Sequence, residues 1–151
     1  MKLVAITLQL ILLSITTAFS HPAQKEGRFS VAGLDDDREV EQFFVSFKEA
    51  IAKGDKKKVA SLASYPIRVN LGSGRWKRIR NAADFISAYD RIFDDKFTRL
   101  ILRTDVKDLW AKWSGVAMPR GEIWFNGILK DAKHPKKYTI KITAISGPIR
   151  S

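Results

Sequence analysis

The chain of 151 residues contains no cysteine. That excludes disulfides, thiolate metal sites, cysteine nucleophiles and lipid attachment to an N-terminal cysteine. Histidine occurs twice and methionine twice, so imidazole chemistry rests on His21 and His134 alone. No zinc-ligand spacing, phosphate-cradling glycine loop or nucleophile elbow is present. Nor is there an internal repeat or a low-complexity tract. After residue 20 no apolar run is long enough to span a bilayer. Acidic residues are the minority, 16 against 27 Lys+Arg, giving a formal charge of +11 and a sequence pI near 10.0. Such a balance favours anionic partners and says nothing about fold.

What is present begins with an address. Lys2 supplies a short basic start, Leu3 to Ile15 an apolar run, and Ala18-Phe19-Ser20 small residues at the two positions that a signal peptidase inspects. Residues 1–20 are read as a secretory signal peptide cleaved between Ser20 and His21. The competing reading, a membrane anchor, needs a longer run than this one, whose end Thr and Ser interrupt. Loss of Lys2 leaves 26 basic against 16 acidic residues, a charge of +10. The expected compartment is periplasmic or secreted. Residues 21–34 lack periodicity and are expected as a flexible arm or an irregular lead-in, residues 35–146 as one domain, and residues 147–151 as a tail. His21 is an N-terminal copper ligand or an exposed histidine without a role.

Apolar residues then recur at helical spacing. Asp35-Asp36-Asp37 opens a helix with the stripe Val40, Phe43, Phe44, Phe47 and Ile51, the carboxylates capping free amides rather than gathering a metal. Gly54 ends it, and Asp55 caps a short second helix that carries Lys56, Lys57 and Lys58 at its start. Tyr65 to Phe93 reads as strand, tight turn, strand and capped helix. Ile67, Val69 and Leu71 share one strand face and Arg68 and Asn70 the other. On the return strand Trp76, Arg78 and Arg80 alternate with Arg75, Lys77 and Ile79. Asn81 and Asp84 form a variant capping box, and a last helix follows Asp94-Asp95. From Leu109 the period changes to two. LWAKWSGVAM, GEIWFNGILK and KYTIKITAI are three strand candidates, with His134 in a Lys-rich loop between the last two. Helices first and strands last predict an α+β domain, its helices packed on a curved antiparallel sheet.

This order resembles the nuclear transport factor two-like superfamily, in particular its small exported bacterial members. The similar stretches are Tyr65-Pro66-Ile67-Arg68-Val69, Ile79-Arg80-Asn81-Ala82-Ala83-Asp84-Phe85, Tyr89-Asp90-Arg91-Ile92-Phe93 and Gly121-Glu122-Ile123-Trp124-Phe125. The resemblance runs from about Asp36 to Ile145 and implies a cone-like fold, a sheet wrapped around a helix with a pocket at its open end. It fixes no activity, because the superfamily holds enzymes such as ketosteroid isomerase and scytalone dehydratase beside ligand binders and interaction modules. It also implies a possible homodimer through the exposed sheet face.

Three functional readings follow from the residues. An isomerase- or dehydratase-like enzyme needs a general base and an oxyanion donor. Tyr65, Tyr89, Asp84, Asp90 and Glu122 have the right chemistry without matching a catalytic motif, so no catalytic residue, metal or cofactor is assigned. A pocket for a small hydrophobic or anionic ligand draws on Tyr65, Arg68, Trp76, Tyr89, Trp113 and Trp124. There Trp110 and Trp113 are expected on opposite strand faces, and Arg68 either receives a ligand carboxylate or pairs with Asp84 or Glu122. A basic surface of Arg75, Lys77, Arg78 and Arg80 around Trp76 suits an anionic envelope polymer or an acidic protein. Nucleic acid is disfavoured by export. The expectation carried forward is a non-catalytic binding module, with the enzyme as its alternative.

Overall fold

Four local caps set the helical layer. In the computed structural model, which describes residues 27–71, 74–130, 133 and 137–147, Asp36 accepts from the Arg38 amide and starts α1 (Asp37–Ala52). Asp55 accepts from Lys58 N to start α2 (Lys56–Ser61). Asn81 accepts from Asp84 N to start α3 (Ala82–Ile92), and Asp94 from Phe97 N to start α4 (Asp95–Arg103). Each cap satisfies an amide that the first helical turn leaves without a partner.

Six strands follow or interleave: β1 (Ala63–Asn70), β2 (Trp76–Ile79), β3 (Trp110–Lys112), β4 (Gly115–Ala117), β5 (Ile123–Leu129) and β6 (Tyr138–Ile145). They form one open sheet in the order β2-β1-β6-β5-β4-β3. The fold is α+β, as the sequence order predicts. The sheet is mixed rather than antiparallel, because β1 pairs parallel with β6 while every other pairing is antiparallel. β1 belongs to an early hairpin and β6 is the last of the six strands, so no short turn constrains their relative direction.

A second correction concerns LWAKWSGVAM, expected as one strand. Trp113 and Ser114 form a turn, and β3 and β4 are the two arms of a hairpin. Gly115 is the physical reason. Its φ is +134°, and a Cβ there would lie 2.8 Å from the Phe125 carbonyl oxygen, so only glycine lets β4 leave the turn and press onto β5.

The helices bury their apolar stripes on one face of the sheet, here the inner face. Phe43 and Phe44 meet Phe125 at ring distances of 5.4 and 6.1 Å. Phe93 sits among Phe47, Phe85, Tyr89 and Phe97. From the strands, Ile67, Val69, Ile79, Val116, Phe125, Ile140 and Ile142 are buried in the same core.

Residues 27–34, expected within the arm, are an irregular lead-in that is anchored. Phe29 and Leu34 are fully buried, and the Asp37 carboxylate accepts from the amides of Arg28 and Phe29. Arg28 Nη2 in turn donates to the carbonyls of Val106 and Leu109. His21, His134, the signal-like residues 1–20 and residues 148–151 of the expected tail lie outside the described residues.

Candidate anion-binding surface

The outer face of the sheet, opposite the helices, follows from strand register. Arg78 is directly across from Arg68 and Trp76 from Asn70. Arg68 pairs with Ala144, Ala144 with Trp124, Trp124 with Ala117, and Ala117 with Trp110. Directly paired residues share a face, so Trp110, Ala117, Trp124, Ala144, Arg68 and Arg78 form a single row across all six strands. Five strand spacings make that row roughly 24 Å long. The row is aromatic at one end and cationic at the other.

At the cationic end, the Arg68 guanidinium lies 5.0 Å from the centre of the Trp76 ring. It does not pair with Asp84 or Glu122, the two carboxylates considered for it. Pro66, Arg78 and Arg80 line a shallow depression of about 330 Å³. Arg75 and Lys77 are also exposed, but Lys77 is opposite Val69 and therefore points to the inner side of this edge. The structure thus joins Arg68, Trp76, Arg78 and Arg80, and divides the expected basic group between two faces.

Like charges directly across a strand pair destabilise it by up to about 1 kcal/mol, and Arg68 opposes Arg78 with no ion pair to a carboxylate among the described residues. Among the described residues, the ion pairs are Arg38–Asp36, Lys56–Asp90 and Lys107–Asp105, none of which involves a strand. The charge distribution is sharper still in sequence terms: the six strands contain no aspartate or glutamate. Among the described residues, every carboxylate side chain lies in a helix or a connection, and the charged side chains of the strands are all cations.

At the aromatic end, Trp110 and Trp124 meet edge to face, with ring centres 5.2 Å apart and planes at 83°. The small side chain of Ala117 between them permits this approach, and Ala117 is fully buried beneath the pair. Trp110 Nε1 donates to the carbonyls of Met118 and Pro119, which fixes its ring. Lys112, two residues along β3 and so on the same face, holds its ammonium 4.6 Å from the Trp124 ring centre. Trp113 stands at the β3–β4 turn and is exposed, rather than lining a strand face.

The remaining expected residues are elsewhere. Tyr65 points inward, donates to the Ala60 carbonyl at 2.8 Å and meets Phe85 edge-on. Burial pushes its phenol up to about 12. Tyr89 is buried against Phe93; burial raises its pKa first, and the charges of Asp90 and Asp55 add to the effect. Among the carboxylates, Asp84 accepts from Asn81 Nδ2 and Asp90 from Lys56 Nζ at 2.7 Å. Glu122 is buried and accepts from the Arg120 amide at 2.9 Å. Each of these acids has a structural partner. Among the described residues no three His, Asp or Glu side chains are grouped as metal ligands, and no helix is long and apolar enough to cross a membrane.

Sequence reasoning did not assign Lys112 or Trp110 to the site, although the spacing Trp110-Ala111-Lys112 places both on one strand face. Their proximity to Trp124 depends on a register that alternation alone does not set. Comparison with protein-family models, with curated proteins and with solved structures finds no match for this chain.

Proposed function

We propose that this protein is an exported, non-catalytic binding module that holds anionic partners on the outer face of its sheet. One observation carries the reading: Arg68, Trp76, Arg78 and Arg80 share a face on which no strand contributes a carboxylate. A phosphate or carboxylate group between Arg68 and Arg78 relieves their mutual repulsion. Trp76 adds a flat apolar wall beside that anion, and Pro66 helps to close the shallow depression next to it. Export is supported by the charged start, apolar run and small-residue cleavage site of residues 1–20. The reading as a binder rather than an enzyme is supported by the hydrogen-bonded or ion-paired state of Asp84, Asp90, Glu122 and Tyr65.

The test is titration of the protein with two soluble polyanions, polyphosphate and polyglutamate, at low and high salt. Binding is expected to weaken steeply as salt rises, because surface charges are screened within about 10 Å at 0.1 M. Arg78→Ala is expected to lower affinity several-fold for both polymers. Lys57→Ala, a change to an exposed helix cation on α2, is expected to leave it unchanged. Equal losses from the two variants would reduce the effect to net charge and overturn the site.

A further inference from the structure

The aromatic end of the sheet carries a feature that a soluble polyanion does not require. β5 is antiparallel to both β4 and β6, so the β3–β4 turn and the β5–β6 connection lie at the same end of the sheet. Val116 is opposite Phe125, and a Cβ on Gly115 would lie 3.4 Å from Asn126 Cβ. The turn at Trp113-Ser114 is therefore level with Gly127 and Ile128. Three large apolar side chains are exposed at this end: Trp113 at 82%, Leu129 at 52% and Ile128 at 39%. Lys112 adjoins them on one side, with its ammonium turned back over the Trp110 and Trp124 rings. On the other are Lys130 and Lys137, both exposed, which close the neck of the β5–β6 connection through a 3.0 Å backbone hydrogen bond.

We infer that this end of the sheet docks on an anionic lipid bilayer, with Trp113, Ile128 and Leu129 entering the interfacial layer and Lys130 and Lys137 meeting lipid phosphates. The inference rests on the anion-binding face proposed above and names its partner. Exposed apolar groups of this size cost solubility in water, whereas an indole is favoured at a membrane interface, where its ring is buried and its N–H stays wet. Lysine suits the same depth, since its stem lies along apolar surface while its ammonium reaches the headgroups. Charge complementarity supports a bilayer with net negative charge.

The opposite side of the molecule is consistent with this orientation. α1 faces the inner side of the sheet through Phe43 and Phe44, and its other side turns Glu41 and Glu49 outward. Asp35 and Glu39 face Tyr138 from the helical layer. These four carboxylates belong to the helical side, away from the basic face of the sheet.

The absence of cysteine allows a single-site probe. Ser114→Cys in the full chain is labelled with an environment-sensitive dye and mixed with vesicles of phosphatidylcholine alone or of equimolar phosphatidylglycerol and phosphatidylcholine. Gln42→Cys, on the outward side of α1, serves as the reference position. The dye at position 114 is expected to shift to the blue and to be quenched by spin-labelled lipid on the anionic vesicles only, and the dye at position 42 to remain in water. Trp113→Ala is expected to weaken vesicle binding roughly tenfold while leaving polyglutamate binding unchanged. If polyglutamate binds but the dye at position 114 stays in water on both vesicles, the membrane inference is overturned and the anion-binding face stands. If neither polyglutamate nor vesicles bind, both are overturned. Equal insertion into neutral and anionic vesicles, or insertion at both labelled positions, also overturns the inference.

Discussion

Replacing Gly115 by alanine tests the geometry that creates the β3–β4 turn and so the position of Trp113. The new Cβ meets two penalties. A φ of +134° is strained for any residue with a side chain, by about 1–3 kcal/mol. The approach to the Phe125 carbonyl at 2.8 Å then forces one backbone away from another, and overpacking of this kind costs about 1–3 kcal/mol more. The expected destabilisation is about 4 kcal/mol, a large share of the roughly 5–15 kcal/mol that holds a domain together. Gly33→Ala is the matched control. Its φ is +73° and no atom lies within 4 Å of the added Cβ, so only the conformational cost of about 1 kcal/mol applies. Thermal melting followed by circular dichroism is expected to place the midpoint of Gly115→Ala about 6–12 °C below that of Gly33→Ala, at about 2–4 °C per kcal/mol. Midpoints that coincide would refute the tight seating of β4 on β5, and with it the level assigned to Trp113.

Three further outcomes are expected. A double-mutant cycle of Trp110→Ala and Trp124→Ala, read by urea unfolding, should return a coupling of about 1 kcal/mol for their edge-to-face contact; zero coupling would mean that the rings do not support each other. Asp37→Ala should free the amides of Arg28 and Phe29, lower stability by about 1–2 kcal/mol, and speed hydrogen exchange at Phe29 more than at Phe44. Tyr65, whose phenol is raised from 10.0 to about 12 by burial, is held neutral by the fold. Its contribution is complete below pH 10 and falls as pH rises from 10 through about 12. Phenolate absorbance should show a step near pH 12 that Tyr65→Phe removes; if that substitution instead removed a step near 10, the burial of the ring would be contradicted.

The parts of this fold legible in the sequence are those whose causes are local. Asp36, Asp55, Asn81 and Asp94 act as caps because each sits just ahead of an apolar stripe, and the carboxamide or carboxylate needs to reach only two or three residues forward. The alternation of β1 and β2 likewise sets which side chains share a face before any partner is known. Trp113 was misplaced because alternation continues through Ala111-Lys112-Trp113-Ser114-Gly115, and the glycine that breaks it acts through a contact with Phe125, far along the chain. The direction of β1 against β6 lies beyond local reading for the same reason, as does the fate of Arg68. Two carboxylates were available to it in sequence, yet the hairpin register brings Trp76 to its guanidinium instead. Phe29 and Leu34 escaped notice because two apolar residues in an aperiodic segment give no pattern. Their burial depends on Asp37 turning back to bind the segment.

The pairing of β6 between β1 and β5 has a consequence for the order in which the molecule can assemble. The strand that joins the two halves of the sheet is made after the other five, so during synthesis the β1–β2 hairpin waits without its neighbour while the β3–β5 segment has only itself to pair with. Contacts that close over so much intervening chain form late: the edges that wait for β6 belong to β1 and β5, whereas β2, cationic at Lys77 and Arg78, and the short β3 remain the outer edges of the finished sheet, features that discourage pairing with a stranger. Until β6 takes its place, the β1–β2 hairpin and the β3–β5 segment share no strand, and the continuous six-stranded sheet exists only once it does.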